Sequence, residues 1–259
     1  MRNINRTGET VINSQGIEMK IIEWENTKKF KVQFNDESNS IREMHNYGVF
    51  KRGNIRSLYY KEMLGVGYIG EGKYDSKYYF KNANIYKYWA SMMRRCYSDK
   101  VIKNQPTYQE IMVCNEWHNF QNFAEWFEDN YYEIKGQRMC LDKDILNKGN
   151  KIYSPDNCII TPNDINVLFV KANKSRGELP IGVCYKTRDE VYVAQCNTVT
   201  PEGKRKSVWL GQYNNPEEAF IAYKTFKEQH IKEVADRYKD KIPPKLYEAM
   251  YRYKVEIDD

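Results

Sequence analysis

Two segments of the chain carry oxygen and nitrogen side chains at spacings that could do chemistry on a phosphodiester. Leu141-Asp142-Lys143-Asp144-Ile145 puts two carboxylates around a lysine at the end of an apolar run. Tyr153-Ser154-Pro155-Asp156-Asn157-Cys158-Ile159-Ile160-Thr161-Pro162-Asn163-Asp164-Ile165-Asn166 follows. Together they read as strand, loop, strand and helix. Asp142 and Asn166 stand where a metal-dependent nuclease would want its oxygen donors. In such chemistry a divalent ion sits on the scissile phosphate and a nearby base deprotonates the attacking water. Between the two carboxylates stands Lys143, and lysine is a poor general base at neutral pH unless strongly desolvated.

The segment Asp142–Asn166 resembles the ββα core of the HNH endonucleases, most closely in Asn157-Cys158-Ile159-Ile160-Thr161-Pro162-Asn163-Asp164-Ile165-Asn166. The resemblance implies that Asp142 and Asn166 hold Mg2+ or Mn2+, and that Asn157 and Asn163 support the core. It also implies a catalytic histidine where this chain has Lys143. The chain's three histidines, His45, His118 and His230, all lie elsewhere. Lys143 could instead contact phosphate, and Asp144 is a substitute base. The strand is expected over Arg138–Ile145, and alternation along it puts Asp142 and Asp144 on one face and Lys143 on the other. Either the two carboxylates share a metal, or Asp142 and Asn166 simply pin hairpin to helix.

A second resemblance lies further on. Pro180-Ile181-Gly182-Val183-Cys184-Tyr185-Lys186, Tyr192-Val193-Ala194-Gln195-Cys196, Val208-Trp209-Leu210-Gly211-Gln212-Tyr213 and Pro216-Glu217-Glu218-Ala219-Phe220 occur in that order. They are similar to the Apetala-two (ethylene-response-factor) DNA-binding domain. That family implies a three-stranded sheet backed by one helix, with the sheet in the major groove. Carried over residue by residue, it points to Lys186, Arg188, Gln195, Asn197 and Trp209 as DNA contacts. Cys184 and Ser207 stand where plant members carry arginine, so base specificity does not carry over. Lys204-Arg205-Lys206 forms a basic hairpin suited to phosphate. The alternatives are a merely solvated polar face and, for Trp209, a place in the core under the helix.

The elements that must position these residues follow from patterning. Residues 8–56 show strand alternation at Ile17–Ile22 and Phe30–Phe34, as in a small barrel or curled sheet. Ile85, Tyr88, Trp89, Met92 and Cys96 recur at helical spacing, as do Trp117, Phe120, Phe123, Ala124 and Phe127, and both stripes read as core. Gly65-Val66-Gly67-Tyr68-Ile69-Gly70 satisfies GxGxxG, but no helix opening follows, so it reads as a connector. A linker is placed at Asn173–Glu178. Strands follow near Gly182–Lys186, Val191–Asn197 and Ser207–Leu210. A helix begins at Pro216, and a short one spans Lys245–Tyr253.

The fold class is therefore α+β in three parts. Residues 1–60 form the β-rich module. Residues 61–172 hold helices and the HNH-like core. Residues 173–259 form the Apetala-two-type domain with C-terminal helices. The chain has 259 residues, 41% hydrophobic and 14% aromatic, enough for real cores, and its net charge of +6 permits nucleic-acid binding without demanding it. No signal peptide and no membrane span are expected, and the six cysteines, with no CxxC pair, read as reduced thiols.

The combined pattern resembles phage-borne and mobile-element endonucleases acting on double-stranded DNA in the cytoplasm of a bacterial host. Three readings follow: a metal-dependent nickase or homing-type hydrolase, a non-catalytic DNA-binding regulator or architectural protein, and an inhibitor of a host defence nucleoprotein. No small-molecule cofactor is expected.

Overall fold

The computed structural model describes residues 4–170, 178–200, 205–257 and 259, the side chains of residues 199 and 205 excepted. Residues 173–177 of the expected linker lie outside the described residues. The chain is α+β and divides into two compact units, Met1–Asp129 and Asn130–Asp259. The boundaries expected at residues 60 and 172 fall inside these units.

In the first unit, β1 (Thr10–Ile12), β2 (Glu18–Asn26), β3 (Lys29–Phe34) and β4 (Ile41–Met44) form an antiparallel meander in sequence order. Met19 and Ile21 alternate inward on β2, and Phe30, Val32 and Phe34 do so on β3. They bury against Phe50 of the short helix α1 (Tyr47–Lys51) and Ile55. After β5 (Tyr79–Phe80) and β6 (Ala83–Asn84) come helices α2 (Ile85–Tyr97) and α3 (Asp99–Asn104), strand β7 (Met112–Val113) and helix α4 (Phe120–Asn130). The two apolar stripes meet as core: Trp89 and Phe120 lie 5.4 Å apart, and the Trp89 indole donates to the Trp117 carbonyl at 2.7 Å. The glycine-rich segment is a connector. Its Tyr68 amide donates to the His118 carbonyl, and its Tyr68 carbonyl accepts from Phe120, both at 2.9 Å.

The second unit holds β8 (Met139–Asp142), β9 (Ile152–Tyr153), β10 (Ile159–Pro162) and α5 (Asn163–Asn166). Strands β11 (Val183–Lys186), β12 (Val191–Val199) and β13 (Arg205–Tyr213) follow, then α6 (Pro216–Tyr238) and α7 (Pro244–Arg252). Helix α6 starts where its sequence says. The Asn215 side chain accepts from the Glu218 amide, Pro216 occupies the first turn, and Glu217 and Glu218 face the positive end of the dipole.

At 23 residues, α6 serves two cores. Its Ala219, Phe220 and Tyr223 pack on Val183, Ala194 and Cys196 of the three-stranded sheet. Further along, Ile231, Val234 and Ala235 pack on Ile145, Ile159, Ile165 and Leu168 of the ββα segment, together with Leu246 and Met250 of α7. The tail is tied to both. Tyr253 packs edge-on to Phe169 at 4.7 Å, and the Lys148 ammonium lies 2.7 Å from the Asp259 carboxylate. The six cysteines are free thiols, with Cys96, Cys158 and Cys196 buried. Among the described residues no helix is long and apolar enough to cross a membrane.

Candidate functional site

Two places in the second unit collect the residues singled out by sequence. The first is the ββα segment. Strands β8 and β10 pair antiparallel, with Asp142 opposite Ile159 and Met139 opposite Pro162. Strand β8 stops at Asp142 rather than running on to Ile145. The cause is the Asp142 side chain, whose Oδ1 accepts from the amides of Asp144 and Ile145, both at 2.8 Å. A side chain that satisfies the next amides turns the backbone out of the ladder. Strand alternation therefore does not govern residues 143–145.

Lys143 points inward and is 6% exposed. Its ammonium lies 2.7 and 2.8 Å from the two Asp144 carboxylate oxygens and donates to the Asn150 carbonyl at 2.6 Å. Asn150 answers with Nδ2 donated to the carbonyls of Lys143 (3.0 Å) and Ile152 (2.8 Å). A buried ammonium with all its donors used is a pin for the loop. Lys143→His would remove those donors.

Asn157 accepts from the Asn147 amide group at 2.8 Å. The Asn163 amide donates to the Arg138 carbonyl at 2.8 Å. Thr161 is buried in β10 and does not cap the helix, which begins after Pro162 without a side-chain cap. Asn166 ends α5, half-buried, with no hydrogen bond to Asp142.

The carboxylates at this turn are already engaged, Asp142 by two amides and Asp144 by Lys143. Among the described residues no three His, Cys, Asp or Glu side chains cluster closely enough to share a metal ion.

Burial holds the Asp142 carboxyl above the ordinary carboxylate range, against the opposing pull of its two amide hydrogen bonds. With the folded pKa above the unfolded one, the native state binds the proton more tightly. Stability is then greatest below the unfolded carboxylate range and falls as pH rises from there through the folded value, by about 1.4 kcal/mol per pK unit separating the two. Asp142→Asn keeps an oxygen for both amides and removes the buried charge. The variant is expected to be more stable than the parent at pH 7 and to lose that advantage near pH 3. Urea unfolding at the two pH values measures this, and a variant weaker than the parent at pH 7 contradicts it.

The second place is the three-stranded sheet, ordered β11-β12-β13. Tyr192, Ala194 and Cys196 of β12 face the helix. Alternation puts Val191, Val193, Gln195 and Asn197 on the other face, where Gln195 and Asn197 are exposed and Val193 is buried. The register carries this across. Lys186 pairs with Val191, Trp209 with Gln195, and Ser207 with Asn197. Lys186, Gln195, Asn197 and Trp209 thus share one face, away from α6.

Trp209 reaches that face through a bulge. Gly211 pairs with Ala194 and Trp209 with Gln195, leaving Leu210 as the extra residue. Without the bulge, Trp209 would fall opposite Cys196 and point at the helix. One inserted residue flips every position beyond it. Gly211, at φ +139°, supplies the backbone conformation that side-chain-bearing residues rarely adopt. Trp209 is consequently 63% exposed, not in the core.

Arg188 is exposed in the four-residue turn between β11 and β12, where Glu190 takes φ +53°. Lys206 is exposed but pairs with the buried Thr198, which places it on the helix-side register at the far end of β13. Lys204 lies outside the described residues, and Arg205 is placed by its backbone alone, paired with Val199.

No protein-family model, curated protein or solved structure matches the chain.

Sequence reasoning missed the Asn150 knot and the Lys148–Asp259 tie. The Asn147-Lys148-Gly149-Asn150 run announces a turn but not its partners. Residue Asp259 lies 111 positions from Lys148, with no local signal to link them.

Proposed function

We propose that this chain is a phage-type DNA-binding protein that reads double-stranded DNA with the outer face of its C-terminal sheet. The carrying observation is Trp209, exposed by the Gly211 bulge and set directly opposite Gln195, with Asn197 and Lys186 on the same face. An indole held in solvent by a dedicated backbone device fits a surface with a partner. The amides offer donors and acceptors to base edges, while Lys186 and the neighbouring Arg188 suit phosphate. The sequence likeness to the Apetala-two domain supports the same reading. Such a protein acts in the cytoplasm of its bacterial host, as regulator, architectural factor or targeting module.

The test is binding of the full chain to labelled duplex DNA over a salt series. Affinity is expected to fall with salt. Lys186→Ala combined with Arg188→Ala should flatten the slope of log K against log salt by about 2, roughly one for each phosphate no longer neutralised. Absence of binding, or binding indifferent to salt and to both substitutions, overturns the proposal.

A second reading keeps the HNH likeness: metal-dependent nicking at the ββα segment. What favours it is Asp142 at the end of the first strand of a hairpin that runs directly into a helix. Under this reading Asp142 and Asn166 hold Mg2+ or Mn2+, which would stabilise charge on the phosphate. Incubation of supercoiled DNA with Mg2+, Mn2+ or EDTA decides it. Nicking that needs metal and is lost in Asp142→Ala supports it, and intact DNA in both metals overturns it.

A further inference from the structure

The solvent face of α2, in the first unit, has no use in the sheet-based reading. Its sequence, Ile85–Tyr97, contains Lys87, Arg94 and Arg95 and no acidic residue. Lys87 and Arg94 are exposed and lie on one stripe, seven residues and about 10 Å apart along the axis. Lys100 and Lys103 of α3, the helix that follows, are exposed as well, with Asp99 the one acid at the junction. Among the described residues these four basic side chains make no ion pair. Some surface lysines of the same unit are matched, Lys29 with Glu25, Lys31 with Glu23 and Lys61 with Glu37, each at 2.7 Å, and others such as Lys20 and Lys51 are not, so it is the run of cations without an acid on α2 that sets this face apart.

Helix stability explains only part of this pattern. Arg94 and Arg95 in the last turn suit the negative end of the dipole. Lys87 does not. Asn84 caps the helix by accepting from the Lys87 amide, so Lys87 occupies the third helical position. The dipole there favours an acid, and a capping box wants Glu or Gln. A cation at this position works against the helix that carries it. A polyanionic partner accounts for both the cation and the missing acids.

We propose that the Lys87–Arg94 face of α2, together with Lys100 and Lys103, is a second duplex-DNA surface that tracks phosphates without reading sequence. Its partner rests on the DNA-binding reading, and its residues are separate from the sheet. Two such surfaces on one chain would divide the work: the sheet selects sequence, and α2 adds affinity for any duplex.

The experiment measures binding of the full chain to two unrelated duplexes over a salt series. The proteins are the parent, Lys87→Glu, Lys87→Glu with Arg94→Gln, and a sheet variant, Lys186→Ala with Trp209→Ala. The expected result is a slope reduced by about 1 in Lys87→Glu and about 2 in the double variant, equally on both duplexes. Lys87→Glu should also raise or preserve the melting temperature, because an acid suits that position. Arg94→Gln alone serves as a second probe if Lys87→Glu lowers it.

If the parent binds and the α2 variants match it in slope and affinity, this proposal fails while the sheet reading stands. If the α2 variants lose binding and the sheet variant does not, the sheet reading fails and this one stands. A parent that binds neither duplex overturns both. An effect confined to competing single-stranded RNA also overturns it.

Discussion

Gly182→Ala is expected to destabilise the second unit by about 2–5 kcal/mol. Gly182 closes the turn that launches β11. The Val183 amide donates to the Pro180 carbonyl at 3.1 Å, and Gly182 takes φ +78°, as the third residue of a type II turn requires. Its carbonyl accepts from Gln195 at 2.9 Å, which locks the turn to β12. A Cβ at this point would meet three atoms of the Tyr223 ring at 2.0, 2.3 and 2.4 Å. Tyr223 is buried between the sheet and α6 and cannot simply swing away.

Two costs therefore add. The left-handed backbone costs about 1–2 kcal/mol for a residue with a side chain, and the steric overlap about 1–3 kcal/mol. Gly149 separates them, because it has φ +76° and no heavy atom within 4 Å of its would-be Cβ. Gly149→Ala should bear only the backbone cost. Thermal unfolding should show Gly182→Ala lowered by about 8–20 °C and Gly149→Ala by much less. Equal shifts in the two variants would mean that the contact with Tyr223 relaxes freely.

How far the sequence discloses this architecture depends on whether the signal is local. Helix α6 was legible because Asn215, Pro216, Glu217 and Glu218 each state a start in their own chemistry. The three strands before it are legible as short runs rich in valine and aromatic residues, such as Val183–Tyr185, Val191–Val193 and Val208–Leu210, separated by polar and glycine-containing turns. The side of the sheet on which Trp209 stands was not. That depends on one extra residue at Leu210, and a glycine in the sequence does not announce its φ. Residues 143–145 depart from alternation for a related reason. Alternation assumes that the ladder continues, and the Asp142 carboxylate ended it by taking the next two amides for itself. Lys143 stands where the HNH likeness implies a base, and its sequence neighbours alone suggest a phosphate contact for it. Its partners, Asp144 and Asn150, lie close in sequence but become visible only once the turn is built.

Trp209→Ala is expected to weaken duplex DNA binding by about 1–3 kcal/mol, or roughly 5- to 150-fold, while leaving the fold intact. The two halves of this expectation have separate causes. Stability is spared because the indole is 63% exposed on the face opposite α6, and its removal opens no cavity in the core of Val183, Ala194, Cys196 and Phe220. Surface truncations of that kind usually fall within about 0.5 kcal/mol. Affinity drops because a rigid aromatic plane offers apolar area to sugar or base at little entropic cost, and the variant has none. The indole also walls one side of the space in which Gln195, paired directly with it, would meet a base edge. Charge is unchanged by the substitution, so the salt slope should stay parallel to the parent's while the whole line drops. Lys186→Ala should do the reverse and change the slope by about 1. That contrast separates an aromatic contact from a phosphate contact within one sheet face. Calorimetry or anisotropy at several salt concentrations, alongside thermal melting, reads all three quantities. Parent-like affinity in Trp209→Ala with an unchanged melting temperature would remove the outer face of the sheet as the DNA-reading surface. A sharp fall in melting temperature would instead show that the indole supports the fold, and the bulge at Leu210 would then serve packing rather than recognition.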